Sequence, residues 1–133
     1  NDDGAGLESS AVLLAEKIGA KALACLTRSG LTARNFSRLR PKIPIYAFVE
    51  NEKIRKRLAL TKSVFVIPWK EVQKQDYTVF DELAKEMGRL GILKKGECAV
   101  FVAGIPTSQK QGTSNTVALR KLGANLEVEH GVV

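Results

Sequence analysis

The chain has 133 residues, 44% of them hydrophobic and 26% charged, proportions that suit one soluble domain with a core of its own. Its 21 Lys and Arg against 14 Asp and Glu leave a formal net charge of +7, which favours acidic partners: phosphorylated metabolites, nucleic acid or an acidic protein face. No window approaches the roughly 18 to 20 uninterrupted apolar residues that span a bilayer, and the start NDDGAG has neither the basic nor the apolar region of a secretion signal; a cytoplasmic protein with no membrane partner is expected.

Residues 1–7 read as a flexible lead-in. SSAVLLAEKIGAK then places Val12, Leu13, Ala15 and Ile18 at helical spacing, with Ser9 or Ser10 near the start and Gly19 as the stop. ALACLT is a short apolar run suited to a strand buried on both faces. TARNFSRLRP sets Phe36 and Leu39 on one side of a helix, among Arg34, Arg38 and Arg40, and Pro41 ends it. IPIYAFV is the next strand, and ENEKIRKRLAL follows as a helix with Ile54 and Leu58 four apart. SVFVIPW is a third strand; DYTVFDELAKEMGRLGI carries helical spacing through Val79, Phe80, Leu83, Met87 and Leu90; CAVFVAG is a fourth strand. NTVALRKL alternates as an edge strand, and residues 123–133, GANLEVEHGVV, are an unpatterned tail. Helices alternating with strands over short connections predict a three-layer α/β/α domain, residues 8–122, around a mainly parallel sheet. The only methionine is Met87, so the chain is expected to be a fragment of a longer protein.

In open α/β sheets, ligands collect at the carboxyl ends of the strands, where the strand order reverses. Two loops there are unusual. Thr27, Arg28, Ser29, Gly30 and Thr32 stand at the start of a helix, where backbone N–H groups and the dipole favour a phosphate and where hydroxyls and a guanidinium add hydrogen bonds. The alternative is plain capping by Ser29 or Thr32. The second loop, Gly104 to Thr116, is long and polar and carries Lys110. Neither GxxxxGK[ST] nor GxGxxG is present.

Catalytic constellations are scarce. The single His130 lies in the tail, away from any nucleophile pattern. Glu82 and Glu86 read as a solvated stripe beside Lys85 and Arg89, and Trp69 as a packing residue. Lys53, Arg55, Lys56 and Arg57 make a basic run without any nucleic-acid-binding motif, so nucleic acid is not the expected partner. Cys25 and Cys98 sit in apolar runs at no metal or redox spacing and are expected to be small buried hydrophobes.

Three stretches resemble the C-terminal domain of pyruvate kinase: AVLLAEKIGAKALACLT, then LTRSGLTARNFSRLRPKIPIYAFVENEKIRKRLAL, then KKGECAVFVAGIP with GTSNTVAL, together covering about Ser10 to Leu122. The resemblance implies a five-stranded mixed sheet with the first and fourth strands adjacent and the last antiparallel. It implies a regulatory and subunit-assembly role, in which Thr27, Arg28, Ser29, Gly30 and Thr32 cradle the phosphate of a sugar phosphate or other effector. Lys110, Gly112, Thr113 and Ser114 would lie in the loop that closes over it. Leu31 departs from the pattern, standing where many relatives have a basic residue. By the same resemblance the partners are a barrel domain of the same enzyme and further copies in a homo-oligomer. Catalysis and the Mg and K ions belong to that barrel, so this chain is not catalytic alone and carries no cofactor. The alternative is a standalone small-molecule or protein-binding module of the same fold.

Overall fold

A computed structural model describes residues 3–70, 78–104, 115–124 and 127–130, with side chains from residue 6 onward. In chain order the elements are α1 (Asp3–Ile18), β1 (Ala22–Leu26), α2 (Leu31–Arg38), β2 (Ile45–Val49), α3 (Glu52–Leu58), β3 (Val64–Pro68), α4 (Thr78–Arg89), β4 (Cys98–Ala103), β5 (Thr116–Leu122) and β6 (Val128–His130). They build one sheet of order β3-β2-β1-β4-β5-β6. The pairs β1/β2, β2/β3 and β1/β4 are parallel, whereas β4/β5 and β5/β6 are antiparallel.

Alternation along the strands divides the core in two. Leu23 and Cys25 of β1, Ile45, Ala47 and Val49 of β2, and Val100 and Val102 of β4 face Ala11 and Ala15 of α1, Ala33 and Phe36 of α2 and Leu58 of α3. Ala22 and Ala24 of β1 point the other way, toward Phe48, Phe101 and the Val79, Phe80, Leu83, Ala84 and Met87 stripe of α4. The small residues of β1 leave room there for the rings of Phe80 and Phe101, whose centroids lie 6.2 Å apart. Trp69 is a packing residue, edge-on to Phe48 at 5.5 Å.

Three expectations need correction. The sheet has six strands, not five, because residues 128–130 of the supposed tail add to β5 through the register Arg120↔His130, Lys121↔Glu129 and Leu122↔Val128. β5 is therefore an interior strand. The new edge is also tied to α4: Asp81 Oδ1 accepts from Arg120 Nε at 2.8 Å and lies 2.9 Å from His130 Nε2. Helix α1 begins at Asp3, inside the expected lead-in. Lastly, Cys25 is fully buried but Cys98 is only half-buried, because β4 opens with it.

Candidate functional site

The chain runs from β1 outward to β2 and β3, then crosses back to place β4 on the other side of β1. The carboxyl ends of β1 and β4 are thus neighbours at the point where the order reverses, and Cys25 pairs with Val102 just before both strands end. Two connections leave from there: residues 27–30, leading into α2, and the segment that follows Gly104.

The first connection is tightly organised. The Thr27 N–H donates to the Phe48 carbonyl at 3.2 Å, which anchors the loop to β2. The Gly30 N–H donates to Thr27 Oγ1 at 2.9 Å, and the Leu31 N–H to Ser29 Oγ at 3.2 Å. Each hydroxyl has thereby been used as an acceptor and keeps its own hydrogen to donate. The N-cap of α2 is Gly30 itself, with φ 86° and ψ −2° and no side-chain cap, so neither Ser29 nor Thr32 caps this helix in the ordinary way. Glycine is required at this position for two reasons. Its φ is left-handed, and a Cβ there would lie 3.0 Å from Arg34 Nη1 and 3.3 Å from both Ile54 Cγ2 and Leu58 Cδ2.

Thr27, Gly30 and Thr32 are buried, while Arg28 and Ser29 are half-buried at the loop surface. Arg34, which sequence reasoning did not single out, joins them: its Nη1 donates to the Ser29 carbonyl at 3.3 Å. Its position one turn beyond Gly30 is the signal that could have found it. Lys110, Gly112, Thr113 and Ser114 lie outside the described residues, but both flanks of their segment are placed. Gly104 follows β4, and the Asn115 N–H donates to the Ala103 carbonyl at 3.2 Å, so the segment leaves and returns at the end of β4 beside β1.

Beneath the loop the chemistry is quiet. Burial, and secondarily the charge of Glu8, pushes the Cys25 thiol far above its ordinary value, which makes it a packing group rather than a nucleophile. Burial also raises Cys98, with Lys121 opposing. Among the described residues no three His, Cys, Asp or Glu side chains converge to hold a metal ion, and no helix is long and apolar enough to cross a membrane. The arrangement offers hydrogen-bond donors and a guanidinium at the start of a helix. Groups of that kind at a helix start favour an anion.

Comparison with known proteins agrees with this architecture. Residues 7–119 match the family model described as pyruvate kinase, alpha/beta domain. The pyruvate kinase of Lactobacillus delbrueckii subsp. bulgaricus is 34% identical over 123 residues, 92% of this chain and 20% of that protein. That of Mycobacterium tuberculosis (strain CDC 1551 / Oshkosh) is 31% identical over 112 residues, 83% of this chain and 23% of its own length. The Thermotoga maritima enzyme is 31% identical over 109 residues, 82% of this chain and 23% of the relative. The chain therefore spans about a fifth to a quarter of the length of these relatives. With a matched span that runs from α1 into β5 and takes in the switch point, the chain belongs to the pyruvate kinase alpha/beta-domain family.

Proposed function

We propose that this chain is the effector-binding, regulatory domain of a pyruvate kinase, taking the phosphate of a sugar phosphate or similar metabolite on the loop from Thr27 to Thr32. The observation that supports this reading best is the loop's organisation: Gly30 held left-handed, with Thr27 and Ser29 each bonded to a backbone N–H at the start of α2. Such a cradle is fixed before the ligand arrives, so little ordering entropy is lost on binding. Arg34 supplies charge within the same cluster, and the flanks Gly104 and Asn115 of the second loop lie at the end of β4, beside β1.

Phosphoryl transfer from phosphoenolpyruvate to ADP, together with its Mg and K ions, would then be the work of a barrel domain elsewhere in the protein. This domain would contribute oligomer contacts and a coupling free energy between effector and active site. Isothermal titration calorimetry with fructose bisphosphate tests the site. The double variant Thr27→Ala, Ser29→Ala should bind at least about tenfold more weakly, since hydrogen bonds to a charged group are lost. Unchanged affinity would sink the assignment, and absence of binding by any phosphorylated metabolite would favour a loop that serves only to start α2.

A further inference from the structure

We propose a second anion site at the opposite end of α2, a cleft that accepts the phosphate group of a small metabolite. The cleft, of about 470 Å3, is lined by Ser37, Arg38, Arg40, Pro41, Lys62 and Ser63. It lies between the last turn of α2 and the α3–β3 connection, which are joined where Ser37 Oγ donates to the Lys62 carbonyl at 2.9 Å.

Three features of this cleft point to a ligand. First, three cations from two separate segments surround one cavity, and none of Arg38, Arg40 or Lys62 pairs with a carboxylate among the described residues. The negative end of the α2 dipole accounts for Arg38 and Arg40, but not for Lys62, which arrives from another connection. Cations gathered in one cleft with no described carboxylate in direct contact repel one another, and a phosphate between them relieves that repulsion.

Second, Arg38 is held in advance. Its Nη1 donates to Asn35 Oδ1 at 3.2 Å, and Asn35 Nδ2 donates to Glu8 Oε1 at 3.4 Å. Glu8 is 1% exposed and Asn35 5%, so the guanidinium rests on a buried polar pair and meets a ligand with part of its freedom already removed. Third, the two described non-glycine residues with left-handed backbone, Arg40 (φ 50°) and Ser63 (φ 66°), both line this cleft. Strain of that kind persists where the surroundings enforce it and gathers at ligand clamps.

This inference does not rest on the effector loop, because the two ends of α2 report separately in one experiment. The 15N-labelled 133-residue chain is titrated with inorganic phosphate at constant ionic strength, with sodium chloride as the matched control. Saturable shifts are expected at the amides of Ser37, Arg40, Lys62 and Ser63. The variant Arg40→Gln, Lys62→Gln, which alters exposed side chains only, should weaken that response at least about tenfold while leaving shifts at residues 27–32 as in the parent chain. The proposal is overturned if these amides do not respond to phosphate, if chloride shifts them equally, or if the variant titrates like the parent.

Discussion

The two ends of helix α2, about 12 Å apart at 1.5 Å per residue, present the same charge preference by opposite means. At the N-terminal end the Thr27–Thr32 loop is mostly backbone and short hydroxyls, closed around a left-handed Gly30, and its geometry is set by hydrogen bonds of 2.9 and 3.2 Å. The C-terminal end relies on long, exposed cationic side chains, and only Arg38 is anchored beneath. Anion binding by fixed donors selects for shape, whereas binding by flexible cations selects for charge and weakens with salt. A difference in salt sensitivity between the two ends follows directly.

Substitutions can break that contrast, and the largest effect belongs at Gly30. Gly30→Ala must adopt a left-handed φ and push on Arg34, Ile54 and Leu58, at a cost of about 2 to 4 kcal/mol. Gly19→Ala, also left-handed but with nothing within 4 Å, should cost only about 1 to 2 kcal/mol. Urea unfolding of the pair separates crowding from backbone strain, and equal losses would show that the Gly30 contacts are slack.

At the other end, Asn35→Leu removes the partner shared by Glu8 and Arg38 and should destabilise by about 1 to 3 kcal/mol, since a buried carboxylate loses a donor. It should also weaken phosphate at the Arg38 cleft without moving the loop amides. A smaller loss, about 1 kcal/mol, is expected for Thr27→Val, which keeps the shape of the side chain but removes the acceptor for the Gly30 N–H. Thermal or urea melts check both values.

The smallest effect concerns pH. Below about pH 8.5 the Cys25 thiol is protonated in the folded and unfolded chain alike; above it the unfolded thiol ionises while the buried one stays protonated. Fewer protons on the unfolded state mean that stability falls as pH rises. Cys25→Ala should therefore flatten the alkaline decline in urea midpoints, and native-state alkylation should modify half-buried Cys98 well before Cys25. Equal alkylation rates would contradict the packing role given to Cys25.

Much of this architecture is legible in the residues because periodicity and burial coincide. The short apolar run ALACLT and the Val79, Phe80, Leu83, Met87 stripe match the strand and helix they form, and burial on both faces of β1 follows from that run. The adjacency of β1 and β4, and with it the meeting of the two polar loops, came from family resemblance rather than from spacing. Strand β6 was missed because three residues give no readable alternation, and it is held by pairing with β5 and by Asp81 of α4, 49 positions before His130. The helix cap was misjudged because Gly30 takes that position while Thr27 serves the turn from outside the helix. The Arg38 cleft left no local trace either: Ser37 and Lys62 stand 25 residues apart and meet only on folding.

The central claim is that the loop from Thr27 to Thr32 holds the phosphate of an effector. A crystal structure of the 133-residue chain with fructose bisphosphate tests it most directly. The expected result is a phosphate within hydrogen-bond distance of Thr27 Oγ1 or Ser29 Oγ and of backbone N–H groups at the start of α2. A phosphate seated only elsewhere, with this loop unchanged and vacant at saturating ligand, would contradict it.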